Sequence, residues 1–318
     1  MTGTHPVKML TRAITALCCV FLAACSADPA LIFHPRAHGG KGETFGYRKW
    51  LSEKHEPDVV VIGIHGFCGA SADYKNLGNY FLKHQPRTAL YAYEVRGQGS
   101  DPIQARRGDI GRPEEWYRDL DRFTRMVREM HPGAKVVWFG ESMGALIAVH
   151  AWARAPRAPA DGLVLSSPIV RFRDDIPAWT PGLVQVAAAT APLARIPLET
   201  LAGAQDAQMT QTSTHLDQVK KNPYHVDKHT LRLIGTLAKL IGSMNNHAAS
   251  LHQPVLVLHG GKDFLNTDSD VRGFVARIPR SAPPTYHNYP KAYHLLMYDQ
   301  KRGEIFRDVA RWTDELRD

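Results

Sequence analysis

Cysteine is scarce in this chain. Of 318 residues four are cysteines: Cys18, Cys19 and Cys25 are crowded near the start, and Cys68 stands alone in the body. A single thiol closes no internal bridge, so the body must stand on a hydrophobic core rather than a disulfide framework. Cys68 itself reads as a small buried filler. No histidine, cysteine or carboxylate set falls at metal-ligand spacing, so neither a metal nor another cofactor is expected. Two glycine-rich stretches also fall short of phosphate-binding patterns. Gly39-Gly40-Lys41-Gly42 lacks the P-loop spacing and its Ser/Thr, and Glu94 to Asp101 lacks the third glycine and following helix of a dinucleotide turn. Basic residues are in excess, for a formal charge of +8. No basic cluster interleaves with aromatics, however, and nucleic acid is not an expected partner.

What is present begins with a leader. Lys8 and Arg12 precede an apolar run, Ala13 to Ala24, that is too short to span a bilayer as a mature helix. It reads as a secretory signal peptide over residues 1–24. Its end, Leu22-Ala23-Ala24-Cys25, resembles a bacterial lipobox, which implies lipidation of Cys25 and attachment of the exported chain to a membrane. Ser26 is compatible with the outer membrane. Residues 25–42 have no clear period and read as a tether.

The body then alternates strand and helix signals. Val59 to Ile64 is a continuous apolar run of buried-strand length, as are Thr88 to Tyr93 and Gly162 to Leu165. Glu114 to Met130 is a helix with Trp116, Leu120, Phe123 and Val127 on one face, stopped by His131-Pro132-Gly133. From 169 to 253 the alternation stops. A structureless loop of that length is implausible, so this segment reads as an inserted helical cap whose strongest helix is capped by Asp227 and bears Leu233, Ile234, Leu237, Leu240, Ile241 and Met244. The alternation resumes at Pro254. The expected architecture is α/β, a mostly parallel sheet flanked by helices, with a core from 43–168 and 254–318.

The chemistry centres on Gly140-Glu141-Ser142-Met143-Gly144. It follows the strand-like Lys135 to Phe139 and precedes the helix formers Ala145 to Val149. This strand–turn–helix context makes Ser142 a candidate nucleophile on a tight elbow. Serine needs a base. Asp263 follows the strand Pro254 to Leu258, and His294 follows the strand around Thr285 to Tyr289, giving the chain order Ser, Asp, His. His287 competes with His294 but lies within its strand. Asp268 and Asp270 compete with Asp263 but suit a helix start.

With these residues in view, the chain resembles the α/β-hydrolase superfamily, and within it the monoacylglycerol lipase/lysophospholipase-like branch. The resemblance rests on His65-Gly66-Phe67, Arg96-Gly97-Gln98-Gly99-Ser100, the serine pentapeptide, Gly261-Lys262-Asp263 and Tyr293-His294. It implies that the backbone N–H groups of Phe67 and Met143 form the oxyanion hole. Glu94 departs from the Asp that usually opens the glycine-rich turn. The expected activity is hydrolysis of lipid carboxylic esters, lysophospholipids or monoacylglycerols, through an acyl-enzyme on Ser142. A small-ester or thioester hydrolase, a serine peptidase of the same fold, and a non-catalytic binding lipoprotein are the alternatives.

Overall fold

The computed structural model describes residues 29–35, 44–155, 157–197 and 207–317. The leader and Cys25 lie outside the described residues. The central sheet is built from eight strands: β1 (Ile32–Pro35), β2 (Thr44–Trp50), β3 (Val59–Ile64), β4 (Thr88–Tyr93), β5 (Lys135–Glu141), β6 (Gly162–Ser166), β11 (Val255–Gly260) and β12 (Thr285–Tyr289). Their order is β1-β2-β4-β3-β5-β6-β11-β12, antiparallel only where β2 meets β1 and β4. Strand β3 shows why the apolar runs lack alternation. Val60, Ile62 and Ile64 pack into the core on one face while Val59 and Val61 pack into that on the other.

Helices cover both faces. On one side lie α1 (Lys75–His84) and α8 (Arg302–Glu315), which bury Leu77, Phe81, Ile305 and Val309. On the other lie α2 (Pro113–Met130), α3 (Met143–Arg154) and α7 (Asp268–Val275). The chain leaves β3 for β4 on one side and reaches β5 on the other, so the sheet reverses direction at β3. Open α/β sheets bind ligands in the crevice at such a switch point, beyond the carboxyl ends of the strands.

Between β6 and β11 the chain forms the cap. It contains α4 (Thr180–Thr190), β7 (Arg195–Pro197), β8 (Gln208–Thr210), β9 (Ser213–Thr214), α5 (His215–Lys221), β10 (Lys228–Thr230) and α6 (Leu231–His247). The cap is therefore mixed, not helical throughout: β7 pairs with β10 and β8 with β9. The strong helix begins later than Asp227. Thr230 is its cap, accepting the Leu233 N–H on its hydroxyl. On α6, Leu233, Leu240 and Met244 are buried in the core, whereas Ile234, Leu237 and Ile241 turn to a cavity. A further correction falls on the tether of residues 25–42. Ile32–Pro35 pair antiparallel with Thr44–Tyr47, so the sheet begins inside that segment.

Candidate active site

Strand register brings the chemistry together. Ile64 lies opposite Gly140, Glu141 opposite Ser166, Leu258 opposite Ser166, and Gly260 opposite Tyr289. Strands that end level set the residues just beyond them side by side. Those residues include Phe67, Ser142, Ser167, Asp263 and His294.

Ser142 has φ 53° and ψ −111°, a left-handed backbone that a side chain tolerates at a cost. The glycines around it make the turn possible. A Cβ on Gly144 would lie 1.8 Å from the Ile64 carbonyl oxygen, and one on Gly140 would lie 2.5 Å from the Gly144 carbonyl oxygen. The Ser142 N–H donates to the Ser166 carbonyl at 2.9 Å, tying the elbow to β6. The serine hydroxyl stands 3.0 Å from His294 Nε2, and His294 Nδ1 stands 2.8 Å from Asp263 Oδ2. With Nδ1 protonated and donating to the carboxylate, Nε2 is free to accept the serine proton. The second carboxylate oxygen of Asp263 accepts the Leu265 N–H at 2.8 Å. All three side chains are nearly sealed from solvent, with 3% of the His294 side chain and 2% of the Asp263 side chain exposed. Burial opposes a charge on His294, but the charge of Asp263 and its hydrogen bond to the ring outweigh that, so its pKa rises above the ordinary 6.5.

Other residues hold this line in place. The Ser167 hydroxyl donates to the His294 carbonyl at 2.7 Å, from a backbone at φ 45°. The Leu295 N–H donates to the Met209 carbonyl of the cap at 3.0 Å. His65 is a buried brace: its ring bonds the Gly66 carbonyl at 2.9 Å and accepts the Val95 N–H at 3.0 Å. Phe67 and Met143 both line the cavity beside Ser142, and Met143 opens α3, where the first amides lack intrahelical acceptors. Cys68 is buried at φ 56°, and burial pushes its thiol up to about 12, which suits packing and not nucleophilic chemistry. Glu94 is bound by Arg48 at 3.0 Å and by the Ser71 N–H at 3.1 Å, a bracing role.

The competing residues are engaged elsewhere. His287 sits on β12 near Asp308. Asp270 shares a capping box with Thr267, and Asp268 accepts from Tyr286 at 2.6 Å and from Asn288 at 2.7 Å. Two residues escaped sequence reasoning: Ser167, and Asp73, which lines the cavity at the site and accepts the Tyr298 hydroxyl at 2.9 Å. Ser167 lies one residue beyond a strand end level with the elbow, which only the register reveals.

Above Ser142 opens a cavity of about 700 Å³. Its core walls include Phe67, Met143 and Leu146, and its cap walls include Val184, Ile234, Leu237 and Ile241. Among the described residues no cluster of three or more histidine, cysteine or carboxylate side chains could hold a metal.

A mostly parallel sheet that lifts a serine onto a strained elbow, in reach of a histidine bonded to a carboxylate, is the arrangement of the α/β hydrolases. The chain belongs to the serine aminopeptidase, S33 family, which it matches over residues 55–301. It is 28% identical over 277 residues to the monoacylglycerol lipase of Mycolicibacterium smegmatis, covering 86% of this chain and 94% of that one. It is 24% identical over 275 residues to the phospholipase YtpA of Bacillus subtilis, covering 84% and 99% of the two chains. Among solved structures, a soluble variant of the Saccharomyces cerevisiae monoglyceride lipase in complex with a substrate analogue superposes with a TM-score of 0.74 at 20% identity, covering 91% and 96%.

Proposed function

We propose that this chain is a serine hydrolase that cleaves carboxylic esters of lipids, lysophospholipids or monoacylglycerols, through an acyl-enzyme on Ser142. The observation that carries the reading is the line Ser142–His294–Asp263 opening directly into a largely apolar cavity roofed by the cap. In this reading Ser142 Oγ attacks the ester carbonyl while His294 Nε2 takes its proton. The Phe67 and Met143 N–H groups receive the negative charge that builds on the carbonyl oxygen. His294 then protonates the departing alcohol, and Asp263 holds the imidazole in its tautomer and steadies its charge. Water, activated by the same histidine, releases the fatty acid and restores Ser142.

A lipid substrate is supported by the relatives, one a monoacylglycerol lipase and one a phospholipase, and by the walls themselves. A chain of methylenes gains about 0.8 kcal/mol per CH₂ removed from water, and Val184, Ile234, Leu237 and Ile241 provide the matching surface. Helix α4 lines the cavity with Thr180, Pro181 and Val184 and carries no charged residue, while Leu183 and Val186 face solvent and Trp179 is 66% exposed. Such a rim suits substrate arriving from a lipid aggregate. The lipobox-like end at Cys25 supports the same setting, an exported protein held on a bacterial membrane by acyl chains.

A chain-length series of acyl esters tests the substrate class. Rates should climb from acetyl and butyryl to medium and long acyl chains. A maximum at the shortest chains, or faster cleavage of aminoacyl amides than of any ester, would reject a lipid esterase.

A further inference from the structure

The cavity is not apolar throughout, and one of its polar groups sits directly beside Ser142. Glu141, the residue before Ser142, is 3% exposed and lines the cavity. Its Oε1 is shielded from solvent and has no hydrogen-bond partner among the described residues. Buried polar atoms in native proteins are almost always paired, and one left open costs stability. Asp73 lines the cavity too, but its carboxylate is occupied: Oδ2 accepts the Ala70 N–H and Oδ1 the Tyr298 hydroxyl, both at 2.9 Å. Burial first, then the neighbouring Asp73, raise Glu141 to about 8 while His294 draws it back, so the group is a neutral acid at pH 7. A neutral acid both donates and accepts, as a hydroxyl does.

Position indicates which part of a substrate would meet it. With the carbonyl oxygen held by Phe67 and Met143, the departing oxygen must face His294 Nε2, which protonates it. Glu141 and Asp73 line the cavity together with Tyr298, four residues beyond His294 in the chain and bonded to Asp73, which puts the carboxyl on that same side. The apolar residues of α6 furnish the opposite requirement, a place for the acyl chain. We propose that Glu141 is a specificity-determining residue of the leaving-group pocket, one that hydrogen-bonds a free hydroxyl of an uncharged polyol head. A phosphate finds no cation here, where Asp73 adds a second carboxyl. Of the cavity's cations, Arg173 is paired with Asp175, and Lys221 belongs to the exposed end of α5. An ammonium head would require an ionised carboxylate in a buried, apolar setting.

The inference rests on the ester-hydrolase reading and narrows it. Its test uses the full-length protein in detergent and four esters of one fatty acid: the 1-glyceryl, methyl and 2-aminoethyl esters, and lysophosphatidylcholine. Wild type should favour the glyceryl over the methyl ester by about tenfold or more in kcat/KM, as expected of a site that hydrogen-bonds a substrate hydroxyl. Glu141→Leu should bring that ratio close to one, and Glu141→Gln, a neutral donor and acceptor of the same shape, should keep most of it. Glu141→Ala serves the same purpose if the leucine variant does not fold. An unchanged ratio in the leucine or alanine variant overturns the proposal, as does a wild-type preference for the aminoethyl ester or lysophosphatidylcholine. Failure of the underlying reading looks different: none of the four esters turns over, and a fluorophosphonate leaves Ser142 unlabelled.

Discussion

Asp263 and His294 illustrate how a buried pair sets a working pH. In the proposed reaction the imidazole must be neutral to accept the Ser142 proton, and its pKa lies above 6.5 because Asp263 overcomes the effect of burial. Activity should therefore fall as pH drops through a value above 6.5, with kcat/KM giving the free protein's limb. Replacing Asp263 by Asn removes the charge and leaves burial unopposed, which moves that limb to lower pH. The same change should lower kcat by about four orders of magnitude, as loss of the orienting carboxylate does in known triads. Full activity in the variant would mean that another carboxylate holds the histidine. Ser167 makes a smaller contribution. Ser167→Ala deletes one neutral hydrogen bond to the His294 carbonyl, worth about 0.5–1.5 kcal/mol, so kcat should drop by roughly three- to tenfold with KM little changed. A wild-type kcat in this variant would assign Ser167 to the fold alone. The main residues of the site were legible because each follows a strand signal within a few positions. Ser167 and Asp73 were not, because their roles arise from contacts between loops far apart in the chain, at separations that no local spacing encodes.

At the scale of elements, the cap and the loop carrying Phe67 and Cys68 are fastened together. His229 of β10 packs tilted against Phe67 with ring centroids 4.4 Å apart, and Asn222 donates to the Cys68 carbonyl at 2.8 Å. The root of α6 is held by Asp109, which takes the Thr230 hydroxyl and the Arg232 Nε, each at 2.6 Å. Burial raises the Asp109 pKa, but the hydrogen bonds from Arg232 and Thr230 dominate and lower it. The stability this lends is present above the ordinary carboxylate range and lost as pH falls through the depressed value. Asp109→Ala should thus loosen the start of α6 at neutral pH. Faster amide exchange over Leu231 to Gly235 is expected, with a global cost of about 1 kcal/mol after screening of a partly exposed pair. Unchanged exchange there would deny Asp109 this role. The sheet and its flanking helices were readable because long apolar runs and helical stripes carry strong periodic signals. Strand β1 and the cap strands β7 to β10 are two to four residues long, too short for a period to register. The start of α6 was misplaced because Asp227 and Thr230 are both good capping residues, and only the tertiary bond from Thr230 to Asp109 separates them.

For the whole molecule, the proposed function combines the Ser142–His294–Asp263 line, an apolar roof and a proposed membrane address at Cys25. The address makes its own prediction. Cys25→Ser should move the protein from the membrane pellet to the soluble fraction, since the proposed acyl chains would have no attachment point, and unchanged fractionation would remove the anchor from the account. Everything else depends on Ser142 being the nucleophile. The direct measurement is peptide mapping by mass spectrometry after reaction with a fluorophosphonate. The expected result is a single adduct on the peptide carrying Ser142, absent after heat denaturation and absent in Ser142→Ala. An adduct elsewhere, or equal labelling of the alanine variant, would contradict it.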